Sequence, residues 1–117
     1  MASRDIVFYH SYNSNKGIHG NLSATLVQEH PHELRSGKVY YGSKCIMLGS
    51  LYVDPKLRNK GIGSILLNQL IQYAKKNQVK QIVLDDMTDN YRMPNNIYLK
   101  HGFRYVNIDG PEMLYRV

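Results

Sequence analysis

The chain changes its hydrophobic period between Cys45 and Ala74, and that change limits what it can fold into. Cys45-Ile46-Met47-Leu48-Gly49-Ser50-Leu51-Tyr52-Val53 is a nearly continuous apolar run, the pattern of a central strand buried on both faces. Gly49 inside it predicts a bulge or a close approach by another backbone. From Ile62 the apolar residues fall at 65, 66, 70, 73 and 74, one face of an α-helix. Lys75 and Lys76 stand where cations complement the helix dipole, and Asn77 is a fair terminator. Gln81 to Leu84 then forms a short buried strand running into Asp85-Asp86. Strand, helix and strand in this order call for a parallel crossover, so helices must cover a sheet.

The flanking segments add strands. Ile6 to Tyr9 is apolar and aromatic, and Asn13-Ser14-Asn15-Lys16-Gly17 is a turn cluster. A second strand alternates from Leu22 to Gln28, and a short third, Lys38 to Tyr41, lies between Gly37 and Gly42. Pro94 suits the first turn of a second helix and Gly102 its C-terminal cap. Phe103 to Ile108 and Met113 to Val117 are two closing strands around Asp109-Gly110-Pro111. The expected fold class is α/β (α+β), a mixed sheet carrying two main helices. With 117 residues and neither repeat nor linker, one domain over 1–117 is expected.

Composition closes off several classes of function. The hydrophobic fraction of 43% and charged fraction of 21% belong to a soluble globular protein. No apolar run approaches the ~20 residues of a membrane-spanning helix, and Met1 to Asp5 lacks the apolar stretch of a secretory signal. Cys45 is the only cysteine, which excludes an intrachain disulfide and a CxxC metal site. A cytoplasmic protein without a membrane partner is expected. The net charge of +6 suits an anionic ligand, but the Lys and Arg residues fall in ones and twos without interleaved aromatics. A nucleic-acid groove is therefore not expected. The five histidines, His10, His19, His30, His32 and His101, show no metal-ligand spacing.

The chemistry concentrates at the junction of strand and helix. Arg58-Asn59-Lys60-Gly61-Ile62-Gly63 places two glycines where loop turns into helix. Glycine lets backbone N–H groups approach a ligand, and a helix N-terminus offers free donors and partial positive charge. Arg58 and Lys60 add formal charge at the same point. A pyrophosphate fits this arrangement best. No GKS or GKT follows the glycines, so it is not a Walker A loop. Leu66 stands where a dinucleotide fingerprint needs its third glycine.

Taken with Val53-Asp54-Pro55, the segment resembles the acetyl-CoA signature of the GNAT superfamily of N-acetyltransferases, V-x-P-x-x-[RQ]-x-x-G-x-[GA]. Ile97-Tyr98-Leu99-Lys100-His101-Gly102-Phe103 resembles that family's L-Y-x-x-x-G-F, and the resemblance covers roughly 45–117. It implies a GNAT-like, mostly antiparallel mixed sheet and acetyl-CoA as co-substrate. It further implies that Leu51, Tyr52 and Val53 bind the pantetheine arm through backbone bonds. Backbone N–H groups of Asn59, Lys60, Gly61, Ile62, Gly63 and Ser64 would cradle the pyrophosphate, with Arg58 beside them. Tyr98 matches a tyrosine that protonates the leaving thiolate, although a phenol simply packed under the second helix is the competing account.

Two features depart from the family pattern. Residues 10–20 are too short and too rich in Asn, Gly and Ser for the usual N-terminal helices, which are thus expected to be reduced or missing. An open acceptor site, or one completed by a homodimer, follows as an expectation. Cys45–Val53 also carries no carboxylate to act as general base. Asp85 and Asp86, one turned to each face, are the candidates for deprotonating and attracting an amine, with solvated loop acids or a helix cap as the alternative. His30 and His32 are weaker candidates, and Cys45 is expected to be inert core. The expected activity is direct acetyl transfer to a primary amine, the acceptor a small polyamine or arylalkylamine. A protein lysine or N-terminus as acceptor, or a non-catalytic acyl-CoA-binding module, are the alternatives.

Overall fold

The computed structural model describes residues 3–10, 20–28, 32–33, 39–40, 44–57 and 61–117. Strands β1 (Ser3–His10), β2 (Gly20–Gln28), β3 (His32–Glu33), β4 (Val39–Tyr40) and β5 (Lys44–Val53) lead to a 3₁₀ turn at Pro55–Leu57. Helix α1 (Ile62–Lys76), β6 (Gln81–Asp85), helix α2 (Ile97–Lys100), β7 (Arg104–Tyr105) and β8 (Glu112–Arg116) follow. Six strands form one sheet in the order β1-β2-β5-β6-β8-β7, and β3 pairs with β4 apart from it. Among the described residues only β5 and β6 run parallel; the other pairs are antiparallel. The expected turn at Asn13–Gly17, the missing N-terminal helices, His19 and His30 fall outside the described residues.

Helix α1 forms where the period predicts it, but its buried side is turned from the expected face: Ile65 is exposed and Tyr73 half-buried, while Leu67 and Ile71 are buried. Ile62, Leu66, Leu67, Leu70, Ile71 and Ala74 are buried along one side, which packs on β1, β2 and β5. Leu22, Leu26, Ile46 and Ile82 complete the core beneath it. At the far end Asn77 closes the helix, and Lys44 Nζ donates to the Asn77 carbonyl at 2.8 Å, a cation at the negative end of the dipole. At the start of the helix Gly20 lets β2 approach α1 closely: a Cβ there would stand 2.8 Å from Ile62 Cγ2 and 3.1 Å from the Tyr52 carbonyl oxygen.

Three sequence expectations need correction. β5 is not buried on both faces, because Met47, Gly49, Ser50 and Tyr52 are exposed. Among the described residues, the face away from α1 holds only a small cluster of Cys45, Val83, Val106 and Leu114. The second helix does not start at Pro94, which lies in a turn; it starts at Ile97 behind Asn96. The Asn96 side chain accepts from the Tyr98 and Leu99 amides at 2.9 and 3.2 Å, a stronger N-terminal signal than proline. The strand expected from Phe103 to Ile108 shrinks to Arg104–Tyr105. The Phe103 amide is taken by the Tyr98 carbonyl at the end of α2, and Val106 N–H to the Glu112 carbonyl is the last bond in register with β8.

The bulge at Gly49 is present. Ser23 pairs with Ser50 and Ala24 with Leu48, which leaves Gly49 as the extra residue on β5.

Candidate active site

β5 and β6 pair only at Ile46↔Ile82 and Met47↔Val83, although β5 continues to Val53 and β6 to Asp85. Beyond Met47 the edge of β5 that faces β6 therefore has no strand partner among the described residues. A cleft of about 820 Å³ lies beside this divergence. Leu51 and Val53 form one wall, Gly61 to Ser64 the head of it, and Thr88, Asp89, Asn90 and Tyr98 the other side. Tyr52 is 49% exposed and does not line the cleft, since strand alternation turns it to the opposite face. Arg58, Asn59 and Lys60 lie outside the described residues.

The head of the cleft is the start of α1. Gly61 sits at the N-cap with φ +79°, a left-handed conformation that disfavours a side chain, and no side chain caps the helix. The Ile65 amide donates to the Gly61 carbonyl at 3.0 Å, so the first helical N–H groups are the orphan donors. A Cβ at Gly61 would meet nothing within 4 Å, whereas one at Gly63 would lie 2.9 Å from Ile97 Cδ1. The two glycines thus serve different ends: backbone conformation at Gly61, and close packing of α1 on α2 at Gly63. Ser64 Oγ lies 3.0 Å from His101 Nε2. Burial lowers the His101 pKa, which favours the neutral ring.

Tyr98 borders the cleft and is also part of the core, 7% exposed and edge-on to Phe103 at 5.9 Å. The two accounts of this residue are therefore compatible. Burial, and then the charge of Asp86, push its phenol up to about 12. Its proton is held throughout the neutral range.

The two aspartates part company. Asp85 ends β6 opposite Glu112 of β8, half-buried on the same face as Val83. Asp86 is 3% exposed and turned inward. Its Oδ1 accepts from the Thr88 amide at 3.0 Å and hydroxyl at 2.5 Å. Its Oδ2 accepts from Asn96 Nδ2 at 2.8 Å and the Tyr105 hydroxyl at 2.5 Å. Burial alone would raise its pKa, but the hydrogen bonds from Thr88, Tyr105 and Asn96 outweigh it and hold the carboxyl below the usual value. A carboxylate so occupied is a poor proton acceptor. Cys45 is buried away from the cleft lining, its thiol pushed up to about 11 by burial.

Sequence reasoning missed Thr88, Asp89 and Asn90 as cleft wall, and Asn96, Tyr105 and Arg92 as the frame behind it. Asn96 carried a usable signal, an Asn directly ahead of an apolar stretch. The loop residues carried none, because their placement depends on tertiary bonds.

The residues present fit a coenzyme A ligand: uncapped amides for a pyrophosphate, and an unpaired strand edge for the amide groups of a pantetheine arm. Among the described residues no group of three or more His, Cys, Asp or Glu side chains is placed to hold a metal ion, and no helix is long and apolar enough to cross a membrane.

Comparison with known proteins agrees with this geometry. Residues 13–103 match the model of the acetyltransferase (GNAT) family. A Bacillus cereus acetyltransferase is similar in structure at TM-score 0.69 and 23% identity, over 98% of this chain and 74% of that one. Arabidopsis thaliana NAA60, bound to a bisubstrate analogue, is similar at TM-score 0.73 and 18% identity, over 96% and 75%. The PaiA N-acetyltransferase of Thermoplasma acidophilum, in complex with coenzyme A, gives 0.64 and 19%, over 97% and 61%. No curated protein matches the sequence significantly. At these identities the solved structures speak for the fold, while the family match spans most of the sequence and both of its signatures: the chain belongs to the GNAT family of acetyltransferases.

Proposed function

We propose that this protein transfers an acetyl group from acetyl-CoA to a small primary amine of the polyamine or arylalkylamine type. The observation that carries the proposal is the cleft itself. It joins an uncapped helix start at Gly61 to the unpaired edge of β5 and to Tyr98. The first-turn amides of α1 hold the pyrophosphate, and the edge of β5 over Leu51 to Val53 aligns the pantetheine arm. Bound acetyl-CoA supplies the thioester. The Tyr98 phenol, kept protonated by burial, gives its proton to the sulfur that leaves when the amine attacks the carbonyl carbon. Asp85, which ends β6 but does not line the cleft, is assigned the proton of the amine, reached through a water chain. Asp89, exposed on the cleft wall, adds negative charge that favours a cationic acceptor.

A thiol-release assay over a panel of diamines, arylalkylamines and peptides with free N-termini or lysines tests this. Turnover with the small amines is expected. Turnover with peptides alone would move the assignment to a protein acetyltransferase, and thermal stabilisation by CoA without any turnover would make the chain a binding module. Tyr98→Phe is expected to lower kcat on the order of 10²-fold with the affinity for acetyl-CoA little changed. A full rate in that variant with several amines removes Tyr98 as proton donor. Asp85→Asn is expected to lower the rate most at low pH, where the amine is chiefly protonated. Completion of the acceptor side by a second copy of the chain is part of the proposal, and a monomer in sedimentation at assay concentration would remove that part.

A further inference from the structure

Helix α2 contains four residues, Ile97–Lys100. A helix this short has no stability of its own, because nucleation costs more than one turn returns. Something outside must hold it, and with it Tyr98, which it carries to the cleft. The Asn96 side chain is fully buried, and its Oδ1 takes the Tyr98 and Leu99 amides. The same side chain donates from Nδ2 to Asp86 Oδ2 at 2.8 Å, so the cap is itself anchored.

Asp86 is anchored in turn. The Tyr105 hydroxyl donates to it and accepts the Arg92 amide at 2.7 Å. Arg92 holds a left-handed φ of 62°, and its guanidinium lies 4.2 Å from the Tyr105 ring centroid. Its Nη2 donates to the carbonyls of Asn107 and Gly110 at 2.9 and 3.0 Å. An unbroken series of contacts therefore runs from the β7–β8 turn through Arg92, Tyr105, Asp86 and Asn96 to the backbone of Tyr98. Asp86 Oδ2 is spent inside this series, and Oδ1 is taken by the Thr88 amide and hydroxyl.

We propose that Asp86 is a positioning residue: through Asn96 it fixes the start of α2 and so sets where Tyr98 stands in the cleft. The proposal rests on Tyr98 as proton donor, and it removes Asp86 from the candidates for general base. A base acts on the amine independently of Tyr98, whereas a positioning residue acts only through it.

A double-variant cycle separates the two. Asp86→Asn keeps the size of the side chain but replaces an acceptor oxygen by a donor, and is expected to lower kcat about tenfold. The KM for acetyl-CoA should change far less. In a Tyr98→Phe background the same substitution should leave kcat nearly unchanged, since the group it positions is gone. Losses that multiply in the double variant overturn the proposal. If Asp86→Asn does not fold, Tyr105→Phe and Asn96→Ser replace it in the cycle, with smaller losses expected and the same criterion. A fluorotyrosine at position 98 gives a readout independent of turnover. Tyr105→Phe, which breaks the series but keeps the Asp86 charge, should shift its fluorine resonance, and an unchanged spectrum overturns the proposal. If Tyr98→Phe keeps the full rate, the donor assignment fails by itself, and the fluorine spectrum still decides whether Asp86 holds residue 98.

Discussion

Gly61 and Gly63 look equivalent in the sequence and differ in the fold. Gly61→Ala must place an L-residue at φ +79°, which costs about 1–2 kcal/mol. Gly61→Asn should cost less, since Asn tolerates that region, and urea unfolding of both variants checks the order. Gly63→Ala meets the tip of Ile97 instead, so adding Ile97→Val, which removes that carbon, should restore much of the stability lost. If the double variant is no better than Gly63→Ala alone, packing is not the reason for glycine there. Cys45 offers a residue-scale test by chemistry. With its thiol pushed up to about 11 and fully buried, labelling by a thiol reagent at mildly alkaline pH should wait for unfolding. The glycine-rich turn and Tyr98 were legible because their identities and spacing are local. The confinement of Asp86 was not, since Thr88 is local but Asn96 and Tyr105 stand 10 and 19 residues further on and reach it only through the fold.

Among the elements, legibility followed length. Helix α1 buries a continuous apolar side over Ile62–Lys76, and its periodicity set both ends. β5 was found at nearly its full extent, with Gly49 marking the bulge. Helix α2 and β7 were misjudged, because four residues and two residues carry no periodicity and owe their limits to Asn96, Phe103 and Val106. Asn96→Ala removes the cap, worth ~1–2 kcal/mol, and also strips a donor from buried Asp86. Its loss of stability should exceed that of an exposed cap, as urea unfolding can measure. Asp86 gives α2 an acid sensitivity of definite sign. Its folded pKa lies below the ordinary 3.8, so its contribution is present above that value and is lost as pH falls through the folded one. Asp86→Asn should be less stable near neutrality yet lose less on acidification, which unfolding midpoints at several pH values will show.

At the scale of the whole molecule, the mixed order β1-β2-β5-β6-β8-β7 places the parallel pair β5–β6 in the middle of the sheet. The change of period around Val53 foretold that pair. The early parting of β5 from β6 was beyond it, because strand divergence leaves no mark on residue identity. The chain as a whole carries a net charge of +6, so binding of the anionic CoA should weaken as salt is raised, measurable by calorimetry at two ionic strengths. The parted strands have one more consequence. Beyond the bulge, along Ser50–Val53, successive amides turn alternately to β2 and to the gap, so deuterium should enter this stretch at every second position and spare those between. Saturating the protein with CoA should slow the fast set alone, leaving in the exchange rates a footprint with a repeat of two residues.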